Sequence, residues 1–89
     1  DNDGQSDSHL LPGDGIMPLR KIIQELREAG YDGMATIELV TNYMSDPSFY
    51  AELALNRGKE LLLYVLLVLA TTALTTMTTP MRHFLVEIR

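Results

Sequence analysis

The first fifteen residues, Asp1–Gly15, most constrain what the chain can become. Asp, Asn, Ser and Gly dominate them, and Leu10 and Leu11 are almost their only apolar side chains. Such a stretch cannot build a core. It can form a polar loop that bends at glycine and aims its side chains at something outside itself. The core must therefore come from residues beyond Gly15. Within the loop, Asp7 and His9 stand two residues apart, which in extended backbone puts them on the same side. A carboxylate and an imidazole together near the start of a helix are a natural pair of metal ligands. The same residue types also make ordinary turns, so a solvated loop is the alternative.

Eighty-nine residues allow one small domain or a piece of a larger one. The hydrophobic fraction of 46% suits a globular chain. A net charge of −5 and an isoelectric point near 4.7 argue against a dedicated nucleic-acid binder, which needs a basic face. With no cysteine, disulfides and thiolate chemistry are excluded. The N-terminus shows no basic-then-apolar signal for cleavage, and a cytoplasmic location is expected. The first residue is not Met, which suggests a fragment or processed product.

Residues Ile16–Ala29 carry Ile16, Leu19, Ile22, Ile23 and Leu26 at three- and four-residue spacing, the pattern of an amphipathic helix. Pro18 suits its first turn, and Gly30 supplies a left-handed stop. Tyr31-Asp32-Gly33 makes a turn. Met34–Val40 then reads as a short, nearly continuous apolar strand, as in a parallel sheet buried on both faces. Glu38 interrupts it. A carboxylate inside such a strand must be paired, hydrogen-bonded or metal-bound, unless the strand ends at Ile37 and Glu38 meets water. After the loop Thr41–Asp46, Asp46 is a good helix cap and Pro47 a good first helical residue. The second helix should turn Phe49, Tyr50, Leu53, Ala54 and Leu61 inward, with Gly58 a weak point.

The tail differs. Leu61–Leu69 is aliphatic and Ala70–Thr79 is rich in threonine, so about twenty residues carry no charge, long enough to span a bilayer as a helix. The threonines make insertion marginal, and a long buried apolar helix is the preferred reading. Pro80 ends whatever precedes it. His83–Arg89 alternates Phe84, Val86 and Ile88 with polar neighbours and reads as a short strand.

Taken together, Asp1-Asn2-Asp3-Gly4, Asp7-Ser8-His9-Leu10, Pro12-Gly13-Asp14-Gly15-Ile16, Gly30-Tyr31-Asp32-Gly33 and Ile37-Glu38 resemble the sugar isomerase/epimerase superfamily. Its members have xylose-isomerase-like barrels and include the apurinic endonucleases. The resemblance covers about residues 1–62, while 63–89 form a non-matching apolar tail. It implies an α/β fold, the C-terminal βα-unit fragment of a TIM (β/α)8 barrel, with a helix–strand–helix core and a long apolar C-terminal helix. By the same resemblance, Asp7 and His9 correspond to a metal-binding Asp-x-His pair. Glu38 corresponds to the carboxylate ending strand eight, a metal ligand and proton-transfer base at the carboxyl ends of the strands, where barrels keep their chemistry.

These expectations combine into one functional reading. The chain is a fragment of a divalent-metal-dependent sugar or sugar-phosphate isomerase/epimerase, using Mn, Mg, Co or Zn. Glu38 is catalytic, and Glu38, Asp7 and His9 are metal ligands. Its partner is a small sugar or sugar phosphate, not nucleic acid. Self-association is expected, because one interior strand leaves its edges unpaired. Membrane contact through Leu61–Thr79 is a secondary possibility. A whole barrel needs about 250 residues, so the 89-residue chain by itself is expected to be inactive. The alternatives are an apurinic-endonuclease-like metal-dependent phosphodiesterase, which Asp7-Ser8-His9 favours, and a non-catalytic truncated product. The Gly13-Asp14-Gly15 turn before a helix start could receive an anionic group of the substrate. The charge of Asp14 opposes that, leaving a plain turn as the other reading.

Overall fold

The computed structural model describes residues 1–40, 43, 45–72 and 84–88, with backbone only for 70–72 and 84–88. Four elements succeed the polar loop: helix α1 (Leu19–Glu28), strand β1 (Ala35–Leu39), helix α2 (Pro47–Thr72) and strand β2 (Phe84–Ile88).

Helix α1 starts after Pro18, three residues later than the apolar spacing suggests, because Ile16 and Met17 belong to the loop. It closes as expected at Gly30. That residue takes φ +87°, the Gly30 N–H bonds to Arg27 O at 2.9 Å, and the Tyr31 N–H bonds to Leu26 O at 3.0 Å. Only a residue without Cβ adopts this conformation cheaply, and it satisfies carbonyls the helix leaves open. Asp46 caps α2 as its position suggests: its Oδ1 accepts the Phe49 N–H at 3.2 Å, and its carbonyl accepts the Tyr50 N–H at 3.1 Å. Gly58 does not break α2. It lies buried within the helix, where a side chain would compete for space.

β1 and β2 pair in parallel, with Glu38 opposite Glu87 and Leu39 opposite Ile88. A parallel pair needs a crossover, and α2 supplies it, packing on α1 and on both strands. The strand expected near the C-terminus is present. His83 and Arg89, which flank it, lie outside the described residues, as does Pro80.

Two small clusters hold the unit together. Leu11, Leu39 and Ala54 are buried and gather Ile37, Tyr43, Tyr50 and Leu53 around them. Ile23 and Val65 gather Ala35, Leu61, Leu62 and Leu69. Each fully buried Leu or Val contributes about 1.5–3 kcal/mol.

Three expectations need correction. The apolar run after Leu61 does not form a long apolar helix of its own, because up to Thr72 it continues α2, whose first half is polar. Among the described residues no helix is long and apolar enough to cross a membrane. Second, β1 is not buried on both faces: Thr36 is exposed and only Leu39 is fully covered. Two strands and two helices offer too little surface to cover both sides. For the same reason Ile16, Leu26 and Phe49, expected inward, are 73%, 39% and 56% exposed.

Candidate functional site

The polar loop is folded onto itself by its own carboxylates. The Asp1 side chain accepts four backbone N–H groups. Oδ1 takes Asn2 at 2.7 Å and Met17 at 3.1 Å, while Oδ2 takes Gly13 at 2.9 Å and Gly15 at 3.1 Å. The backbones of Asp1 and Leu10 exchange two further bonds of 2.7 and 2.8 Å. Gly15 packs against the carbonyl of Asn2, and a Cβ there would collide with it. Asp3 organises the next turn, its Oδ1 accepting Gln5 N–H at 2.8 Å and Ser6 N–H at 2.9 Å. These donors stabilise the anion and hold the Asp3 carboxyl below the ordinary aspartate value.

This frame delivers His9. Its backbone lies in the left-handed region (φ +42°), uncommon outside glycine though less so for His. The Val40 N–H bonds to its carbonyl at 3.2 Å and ties it to the end of β1. The extended geometry expected for Asp7-Ser8-His9 is therefore not what brings the two side chains together. They meet because the chain turns sharply at His9. Nε2 of His9 lies 2.7 Å from Asp7 Oδ1, and Nδ1 lies 3.8 Å from Glu38 Oε2. The imidazole is 30% exposed, Glu38 35% and Asp7 91%.

All three residues singled out in the sequence thus stand together, in the order Asp7, His9, Glu38. They form a row rather than a ring. Asp7 and Glu38 sit against different nitrogens of the same imidazole, so the three do not converge on one point. Among the described residues no group of three or more His, Cys, Asp or Glu is arranged to hold a metal ion.

Two contributors have no signal in the sequence. The Tyr43 hydroxyl accepts the Leu11 N–H at 3.2 Å, while its ring packs on Tyr50 with centroids 4.9 Å apart, fastening the loop to α2. Arg57 donates to Asp14 Oδ1 at 2.7 Å and to the Pro12 carbonyl at 3.1 Å. The spacings between partners, 32 and more than 40 residues, are too long for any local pattern to reveal. Behind Arg57 a cleft of about 680 Å³ opens between the loop, the start of α1 and the middle of α2.

No protein-family model matches the chain, and no solved structure matches it. Among curated proteins, the fructoselysine 3-epimerases of Shigella flexneri and Escherichia coli O157:H7 are each 50% identical over 62 residues. That is 70% of this chain but 22% of theirs, so the chain spans about a fifth of the length of the relatives it matches. An uncharacterized protein of Methanocaldococcus jannaschii is 42% identical over 38 residues, 43% of this chain and 13% of that one. The similarity to two sugar epimerases, over seven-tenths of the chain, supports a sugar epimerase or isomerase relationship.

Proposed function

We propose that this chain is a segment of a divalent-metal-dependent sugar or sugar-phosphate isomerase/epimerase, and that Asp7, His9 and Glu38 belong to its active site. The observation that carries the reading is the 50% identity to fructoselysine 3-epimerase, in a chain whose three candidate residues stand side by side. A ketose joined to an amino acid, as in the relatives' name, is the first substrate to assay.

The geometry supports a division of labour. Hydrogen-bond geometry assigns a proton to Nε2 of His9, donated to Asp7. Nδ1 is then an acceptor, and it faces the Glu38 carboxylate. Two acceptors 3.8 Å apart are too distant for a hydrogen bond and repel each other unless something positive lies between them. An imidazole and a carboxylate so placed suit a divalent cation of the Mn, Mg, Co or Zn kind. His9 and Glu38 would hold it. Asp7, expected as a third ligand, instead sits behind the ring and fixes its tautomer. Such an ion would polarise a substrate oxygen and acidify the adjacent C–H. Glu38, one-third exposed at the end of β1, is the base that accepts that proton.

The test is a chimera in which this chain replaces the matched stretch of the Escherichia coli fructoselysine 3-epimerase. Metal-dependent epimerisation, read by proton exchange in NMR, is expected. Glu38→Gln keeps the shape but removes the proton acceptor, and should lower kcat by about 10²–10⁴-fold with a smaller effect on KM. Near-normal turnover of the Gln variant would remove Glu38 from the site. The 89-residue chain alone should show no epimerisation, since other substrate contacts are needed for preorganised geometry.

A further inference from the structure

The cleft beside the loop is built and charged, yet lies apart from Asp7, His9 and Glu38. One wall is the turn Pro12–Gly15, held by the Asp1 carboxylate through Gly13 and Gly15 and by Arg57 through Pro12 and Asp14. Those charges are already committed within the protein: Asp1 to backbone N–H groups, Asp14 and Arg57 to each other. The objection that Asp14 repels anionic ligands therefore falls away, because Arg57 neutralises it at 2.7 Å.

The cleft's other charges are uncommitted and of both signs. Helix α1 brings Arg20 and Lys21 to it, and α2 brings Glu60. Arg20 lies over the Tyr64 ring, 4.1 Å from its centroid, which keeps its N–H groups available at the rim. Lys21 and Glu60 make no hydrogen bond or ion pair with another described residue. A simple anion entering the cleft would meet Glu60, and a simple cation would meet Arg20 and Lys21. A group bearing both a carboxylate and an ammonium satisfies all three.

We propose that the cleft between α1 and α2 binds the zwitterionic head group of an amino acid, its carboxylate on Lys21 and Arg20 and its ammonium on Glu60. The inference extends the proposed function, since it makes the substrate class an amino-acid-bearing sugar. Its support is nevertheless separate, resting on the cleft alone.

The experiment is a titration of the ¹⁵N-labelled 89-residue chain with L-lysine, monitored by amide chemical shifts. Saturable shifts are expected around residues 19–22 and 57–61. Hexanoate, which has no ammonium group, and cadaverine, which has no carboxylate, should bind at least about tenfold more weakly, as should lysine to Lys21→Gln and to Glu60→Gln. Glu38→Gln should bind lysine unchanged. Absence of saturable shifts would overturn the proposal. So would hexanoate or inorganic phosphate binding as well as lysine, which would mark a plain anion site. Lysine binding with an inactive chimera would overturn only the epimerase reading, and an active chimera without lysine binding only this one.

Discussion

Replacing Asp1 by Asn separates a carboxylate that organises a loop from one that merely decorates it. Each Asp1 oxygen accepts two N–H groups, one half-buried and one exposed: Asn2 and Met17 on Oδ1, Gly15 and Gly13 on Oδ2. An amide has only one oxygen. Whichever way it turns, its NH₂ must face one of these pairs of donors. Water can serve the exposed member of the pair. The half-buried member loses its partner, at a cost of about 1–3 kcal/mol. For a domain of this size, about 1 kcal/mol corresponds to roughly 4–8 °C in Tm. Asp3→Asn is the matching control, because one Asp3 oxygen takes both the Gln5 and Ser6 N–H groups and an amide can reproduce that. Urea unfolding monitored by circular dichroism measures both variants. If Asp1→Asn shifts stability by less than about 0.5 kcal/mol, the surface-substitution range, the four-donor account of the loop is wrong.

Leu39→Ala removes a side chain with no exposed surface from the cluster that joins loop, strand and α2, and should cost about 2–5 kcal/mol in the same assay, a smaller loss showing that the site closes up. Because the folded Asp3 carboxyl titrates below its unfolded value, its hold on the Gly4–Ser6 turn should be complete at neutral pH and fade as pH falls below the ordinary aspartate range. A ¹³C carboxyl titration with a midpoint at or above that range would contradict the hydrogen-bond assignment. With Leu63 and Leu67 57% and 59% exposed on α2 and only two strands paired, the isolated chain should self-associate, and sedimentation as a single monomeric species across concentrations would refute this.

Much of the local architecture was readable from the residues. Gly30 ends α1, Asp46 and Pro47 open α2, and the alternation of Phe84, Val86 and Ile88 marks β2. Each is a property of a few neighbouring residues, decided by backbone sterics and nearby donors, so it survives without tertiary context. The candidate residues were legible for a similar reason: Asp7, His9 and Glu38 are polar groups whose positions are hard to explain as core or as plain surface.

Everything joining residues far apart in the chain needed the fold. The row Asp7–His9–Glu38 depends on the left-handed turn at His9 and its bond to Val40, which no period-two reading of Asp7-Ser8-His9 contains. The pairing of Arg57 with Asp14 spans more than 40 residues, and it reverses the meaning of Asp14 from a repelling charge to a neutralised wall. Helix α2 absorbed the start of the apolar run because helix propagation needs only one bond per added residue, and Val65 and Leu69 had Ile23 and Ala35 to cover them. Sequence determined which residues start, stop and carry charge. Packing decided which of them meet, because contact between distant residues depends on the closing of loops and the burial of shared surface, quantities that no local stretch encodes.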